Sequence, residues 1–117
     1  MSYQPGTHLI ATLRVPDAAL LQRAAAFRDF LHPLIDDAGL QRLGDVYHDF
    51  EPGGFTAVVC LSESHLSVHT WPEHGLLNMD IYLSNHLRSN DGTVHHLFQA
   101  IQNYFGAEVV QEQSLKR

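Results

Sequence analysis

FTAVVCLSESHLSVHTWPEHGLLNMDIYLS, residues 55–84, decides the fold. Three runs inside it are rich in Val, Thr, Ile and aromatic residues: FTAVVCLS (55–62), HLSVHTW (65–71) and LLNMDIYLS (76–84). That composition favours strands. Working outward, EPGG (51–54) is a turn, and LGDVYHDF (43–50) before it reads as another strand. Further upstream, THLIATLRV (7–15) alternates and reads as the first strand, stopped by Pro16-Asp17, where Asp17 can cap a helix. AALLQRAAAFRDFLHPLIDDAG (18–39) has helical periodicity, with Leu21, Ala24, Phe27, Leu31 and Ile35 near one face. Pro33 is expected to kink or split that helix, and Gly39 to stop it. Downstream, NDGTVHHLFQAIQNYFG (90–106) is an amphipathic helix and AEVVQEQ (107–113) a last short strand.

The order β-α-β-β-β-β-α-β predicts an α+β two-layer sandwich, a mostly antiparallel sheet with two helices on one face. One domain, residues 1–117, suits a chain of this length. The other sheet face carries Val, Leu, Ile and Tyr and needs cover, which a second copy of the chain is expected to supply.

The composition is that of a globular protein, with 44% hydrophobic and 17% charged residues. No apolar run is long enough to span a membrane. MSYQPGTHLIATLRVPD lacks the basic and apolar regions of a signal peptide, so a cytoplasmic location is expected. The net charge of −6, without a basic stripe, argues against a nucleic-acid partner and suits a cationic ligand. The single Cys60 leaves no disulfide framework, and its apolar run suggests a core thiol. The single lysine, Lys116, lies beside the C-terminus, where chains are often disordered.

Nine histidines invite a metal reading. On a strand, His65, Ser67 and His69 share one face, but no carboxylate or Cys joins them in sequence, and no metal is expected unless the fold recruits a ligand. His95-His96 reads as a solvated helix face, and His32 and His48 as surface or half-buried. Ser64 follows Glu63 with no G-x-S-x-G elbow around it. Ser64 and His69 are an odd number apart, so on one strand they point to opposite faces. Pairing between them is left open only across a subunit interface.

SESHLSVHTWPEHG (62–75) resembles the signature of the prokaryotic S-adenosylmethionine decarboxylase proenzymes: a Glu-Ser bond, His, a short β run, then His-Thr-Trp-Pro-Glu. GTHLIATL (6–13) and YHDFEPGGFTAVVCLSES (47–64) extend it, so that residues 6–84 are covered well and the last helix more loosely. The resemblance implies a self-made pyruvoyl group. Ser64 attacks the Glu63 carbonyl to form an ester, β-elimination frees residues 1–63, and residue 64 becomes the pyruvoyl group of the 64–117 fragment. A pyruvoyl carbonyl serves as electron sink where pyridoxal enzymes use an aldehyde held on a lysine. By the same resemblance His69 removes the α-proton in elimination and Thr56 assists processing. Phe50 stacks on the substrate, Glu73 binds its ribose hydroxyls, and Leu66 contributes to substrate binding. The implied assembly is a homodimer whose two chains share each active site.

The chain departs from the family where Phe-Thr-Cys-Gly is expected. DIYLSNH (80–86) puts Ser84 at the position of the cysteine that protonates the product. A serine hydroxyl is a far weaker acid than a thiol of ordinary pKa about 8.5, and His86 or His74 could substitute. HGLLNM (74–79) also replaces the family's Tyr-Gly-Tyr-Ala-Ala segment. Three readings follow: decarboxylation of S-adenosylmethionine for polyamine synthesis; decarboxylation of arginine or ornithine, with Asp49, Glu51, Glu73 and Asp80 meeting the cation; or a non-catalytic regulatory subunit.

Overall fold

The computed structural model describes residues 3–86 and 88–117. Six strands, β1 (Thr7–Arg14), β2 (Arg42–Asp49), β3 (Phe55–Leu61), β4 (Ser64–Trp71), β5 (Leu76–Leu83) and β6 (Glu108–Lys116), form one sheet in the order β2-β3-β4-β5-β1-β6. Every neighbouring pair is antiparallel. Helices α1 (Ala25–Asp37) and α2 (Asp91–Phe105) complete the expected order, and Ala18–Leu21 and Pro72–His74 are short 3-10 turns. Among the described residues no helix is long and apolar enough to cross a membrane.

Strand alternation sorts the side chains into two faces. Leu9, Leu13, Phe55, Val59, Leu66, Val68, Leu77 and Ile81 point toward the helices and are fully buried. Phe27, Leu31 and Ile35 of α1 and Leu97, Ile101 and Phe105 of α2 close over them. Phe27 sits among aromatic rings, 5.8 Å from Phe55 and 5.5 Å from Phe105. Among the described residues no helix lies on the opposite face. Val46, Val58, Trp71, Val110 and Leu115 remain exposed.

Three expectations are corrected. The helix expected over 18–39 breaks at Gln22–Ala24 rather than at Pro33. The Gln22 carbonyl accepts from the Gly54 N–H (3.1 Å), and Asp49 Oδ1 accepts from the Ala24 N–H (2.8 Å). Backbone groups that a continuous helix needs are thus committed to the β2–β3 region. Pro33 stays inside α1 on its exposed side, where the carbonyl it leaves free can meet water. Gly39, at φ +77, ends that helix as expected. Cys60 is no core thiol: even-numbered residues of β3 point to the open face, and Cys60 is exposed. Lastly, β6 runs on to Lys116, whose Nζ bonds Asp91 Oδ2 at 2.6 Å and Thr7 Oγ1 at 3.0 Å. Lys116, Thr7 and Asn85 hold the Asp91 carboxyl well below the usual carboxylate range.

Candidate active site

The Glu63–Ser64 bond lies at the tip of the β3–β4 hairpin. Leu61 pairs with Ser64, so the loop is only Ser62 and Glu63. Two-residue loops normally take positive φ at one or both central positions, which Gly or Asn supplies. Here neither loop residue does so, and the positive φ falls on Ser64, at +133°. That conformation costs a non-glycine residue about 1–3 kcal/mol, so the chain is strained beside the Glu63 carbonyl. The carbonyl itself is gripped: its oxygen accepts from the Ser84 N–H at 2.7 Å. Asn90 fixes Ser84 in turn, its Nδ2 donating to the Ser84 carbonyl at 2.8 Å while its own N–H donates to Asn85 Oδ1. The Glu63 carboxylate is mostly buried, with Arg88 Nε 3.6 Å from Oε1.

On the open face, strand pairing assembles a polar cluster beside Ser64. Its Oγ is 3.3 Å from His65 Nδ1. His65 Nε2 is 2.7 Å from Asp80 Oδ2, and His8 Nε2 is 2.9 Å from the same oxygen. The Ser67 hydroxyl donates to Asp80 Oδ1. Burial alone would raise the Asp80 carboxyl. Hydrogen bonds from Ser67, His8 and His65 outweigh it and hold the group below its usual range. The fold therefore recruits His8 and Asp80 to His65 and leaves His69 out. Ligand atoms of His8, His65 and Asp80 lie within 4.8 Å of one another, a spacing a cation could bridge. They are, however, already paired with each other as donors and acceptor.

At the other end of β4, Phe50, Thr56, His69, Trp71 and Glu73 line an open cleft of about 360 Å³. Thr56 Oγ1 and His69 Nδ1 are 3.1 Å apart across the β3–β4 pair. Phe50 stands half out of the surface, its ring edge-on to His48 at 4.6 Å. Thus the structure gathers Phe50, Thr56, His69 and Glu73, and separately gathers Glu63, Ser64 and Ser84. His69 is five positions along β4 from Ser64, about 16 Å at 3.3 Å per residue.

Leu66 belongs to neither group. Its side chain faces the helices with no exposure, so only its backbone can meet a ligand. Ser84 lies just past the end of β5, and His86 is exposed in the following loop, not on the strand. His74, with Glu73, is in the turn after β4. Of the acids that might meet a guanidinium, Asp49 bonds the Ala24 N–H, Asp80 is held by two imidazoles and a hydroxyl, and Glu51 lies 3.7 Å from Arg23. His32 bonds Asp45 and Tyr47, while His95 and His96 are solvated as expected.

Sequence reasoning missed His8 and Asp80 as neighbours of Ser64, and the Ser84 N–H as a donor. Strand parity puts His8, His65 and Asp80 on the open face but Ser64, paired with buried Leu61 and Leu83, on the other; its Oγ meets His65 where the φ of +133° interrupts regular strand geometry, and neither that nor which strands lie side by side was readable. A backbone donor leaves no mark in the sequence.

Comparison with known proteins gives the chain's family and bears on its fold. The family model described as S-adenosylmethionine decarboxylase matches residues 7–117. The chain is 42% identical over 77 residues to the S-adenosylmethionine decarboxylase proenzyme of Archaeoglobus fulgidus, covering 66% of this chain and 69% of that one. It is 32% identical over 102 residues to the proenzyme of Picrophilus torridus, covering 87% and 78%. The crystal structure of adenosylmethionine decarboxylase from Aquifex aeolicus superimposes with a TM-score of 0.86 at 30% identity, over 99% of this chain and 92% of that one.

Proposed function

Since the chain belongs to the S-adenosylmethionine decarboxylase family, we propose that it is a proenzyme that cuts itself at Glu63–Ser64 and then decarboxylates S-adenosylmethionine. The observation that carries this reading is the strained Glu63–Ser64 bond, with its carbonyl oxygen already on the Ser84 N–H at 2.7 Å. When Ser64 Oγ attacks that carbonyl, negative charge grows on the oxygen. A donor placed there beforehand typically lowers such a barrier by about 3–4 kcal/mol. Release of the φ strain at Ser64 favours the same step.

The pyruvoyl group that the family implies fits residue 64. Once cleaved, this residue would end the 64–117 fragment beside His65, Ser67 and Asp80, on a face open to a small molecule. There the group supplies an electron sink for the carbanion left by decarboxylation. Glu73 would accept hydrogen bonds from the ribose, and Phe50 would lie over the adenine or the sulfonium, the latter gaining about 0.5–2 kcal/mol by cation–π attraction.

Phe50 and Glu73 lie with His69 at the far end of β4, too far to serve their own chain's Ser64. A two-fold pairing of open sheet faces solves this. It sets the Ser64 end of one β4 against the His69 end of its partner's β4, completing two sites at once. It also covers Val46, Val58 and Trp71, exposed at 66%, 41% and 41%. Each site then holds Ser64 and Ser84 from one copy and Phe50, Thr56, His69 and Glu73 from the other.

Carbon dioxide release tests the substrate. The purified protein is expected to release it from S-adenosylmethionine and not from arginine or ornithine, because Asp49 is bonded to the Ala24 N–H and Asp80 to His8, His65 and Ser67, leaving only the exposed Glu51 and Glu73 for a cation. Release from arginine or ornithine alone would overturn the assignment. Ser84→Cys is expected to raise turnover about tenfold or more, since a thiol donates a proton more readily than a hydroxyl near pH 7. Turnover unchanged by Ser84→Cys would mean that residue 84 is not the donor.

A further inference from the structure

We propose that His65 is the general base that starts self-cleavage by taking the proton from Ser64 Oγ, and that Asp80 is the positioning residue that holds it in the competent tautomer. The inference rests on Ser64 being the nucleophile, and it assigns a step that His69 cannot perform from within the same chain.

Two contacts define the geometry. His65 Nε2 lies 2.7 Å from Asp80 Oδ2, and His65 Nδ1 lies 3.3 Å from Ser64 Oγ. A carboxylate only accepts, so the ring proton of neutral His65 sits on Nε2 and donates to Asp80. That leaves the Nδ1 lone pair free, facing the Ser64 hydroxyl. Asp80 is itself fixed: Oδ2 also accepts from His8 Nε2 at 2.9 Å, and Oδ1 accepts from Ser67. The serine, histidine and aspartate form a nucleophile, base and orienting group, the arrangement by which unrelated folds activate serine. Here the nucleophile is turned on its own backbone.

The step balances without any added reactant. His65 Nδ1 takes the Oγ proton as Oγ bonds to the Glu63 carbonyl carbon. The carbonyl pair moves onto oxygen, where the Ser84 N–H receives it. The cyclic intermediate collapses as the C–N bond breaks, and the imidazolium returns its proton to the departing Ser64 nitrogen. The product is a Glu63–Ser64 ester with a free amine on residue 64. His69 of the partner copy would then act on the α-proton, so two histidines from two chains divide the reaction. Because Ser64, His65 and Asp80 belong to one chain, ester formation should not need the partner's His69.

Hydroxylamine, which cleaves the ester, separates the two steps. His69→Ala is expected to stop elimination and accumulate ester, so that hydroxylamine splits the chain between 63 and 64. Adding His65→Ala should slow ester formation about 100-fold or more, and free imidazole, filling the vacated space, should restore most of it. Asp80→Ala should slow the same step, with Asp80→Glu recovering it. Ester formed at the parental rate in the His65→Ala, His69→Ala chain would overturn the proposal. So would a natively folded variant, judged by circular dichroism, that imidazole fails to restore, since His65 would then be structural. Wild-type cleavage that stops with EDTA and returns with a divalent cation would overturn it in favour of a metal on His8, His65 and Asp80. A wild-type chain that neither cleaves nor forms ester would instead sink the assignment of Ser64, and this proposal with it.

Discussion

Ser64→Ala is expected to leave the purified chain at its full 117 residues and to abolish decarboxylation outright. The effect is all or none because in the proposed mechanism the hydroxyl is both nucleophile and precursor: without it there would be no ester, no elimination and no carbonyl at residue 64. The substitution removes one half-buried oxygen at a hairpin tip and touches none of the core residues. Folding should therefore survive, and relief of strain is not expected, since alanine at φ +133° is as unfavourable as serine. Thermal unfolding together with intact mass distinguishes a folded, uncut chain from a misfolded one. A Ser64→Ala chain that still splits between 63 and 64 would remove the hydroxyl from the chemistry.

The second large effect concerns the partner copy. His69→Ala alone is expected to block release of the two fragments. Co-expressed with Ser64→Ala chains, however, His69→Ala chains should be cut. In a mixed dimer, the Ser64 of the His69→Ala chain meets the His69 of the Ser64→Ala chain. Random pairing puts roughly half of the His69→Ala chains opposite such a partner, so about half should appear as fragments, against none when the variant is expressed alone. The prediction follows from the five-position offset, about 16 Å, between Ser64 and His69 on β4. Mixed dimers isolated by two affinity tags and found uncut would mean that one chain holds a whole site.

The strands of 55–84 were legible because each run alternates or is rich in β-branched residues, and the short connections leave antiparallel pairing as the simple outcome. The order of elements followed from that. What stayed hidden depended on long-range pairing. The break at Gln22–Ala24 comes from Gly54 and Asp49, about thirty and twenty-five residues away in sequence. Cys60 looked like a core thiol because its neighbours are apolar, and only strand parity turns it outward. Lys116 looked like a loose end, but its pairing with Thr7 places it in β6 and its side chain reaches Asp91. At the site, the resemblance to known proenzymes named Ser64, Thr56, His69, Phe50 and Glu73. It could not show that they fall into two groups at opposite ends of one strand. His65 was noticed as a possible ligand, yet its role as a neighbour of Ser64 needed β1, β5 and β4 laid side by side with His8 and Asp80 in register.

The most direct test of self-cleavage is the intact mass of the purified wild-type chain. The expected result is two species, residues 1–63 and residues 64–117, the latter with a pyruvoyl group in place of an N-terminal serine. A single 117-residue species that persists on incubation would contradict the account.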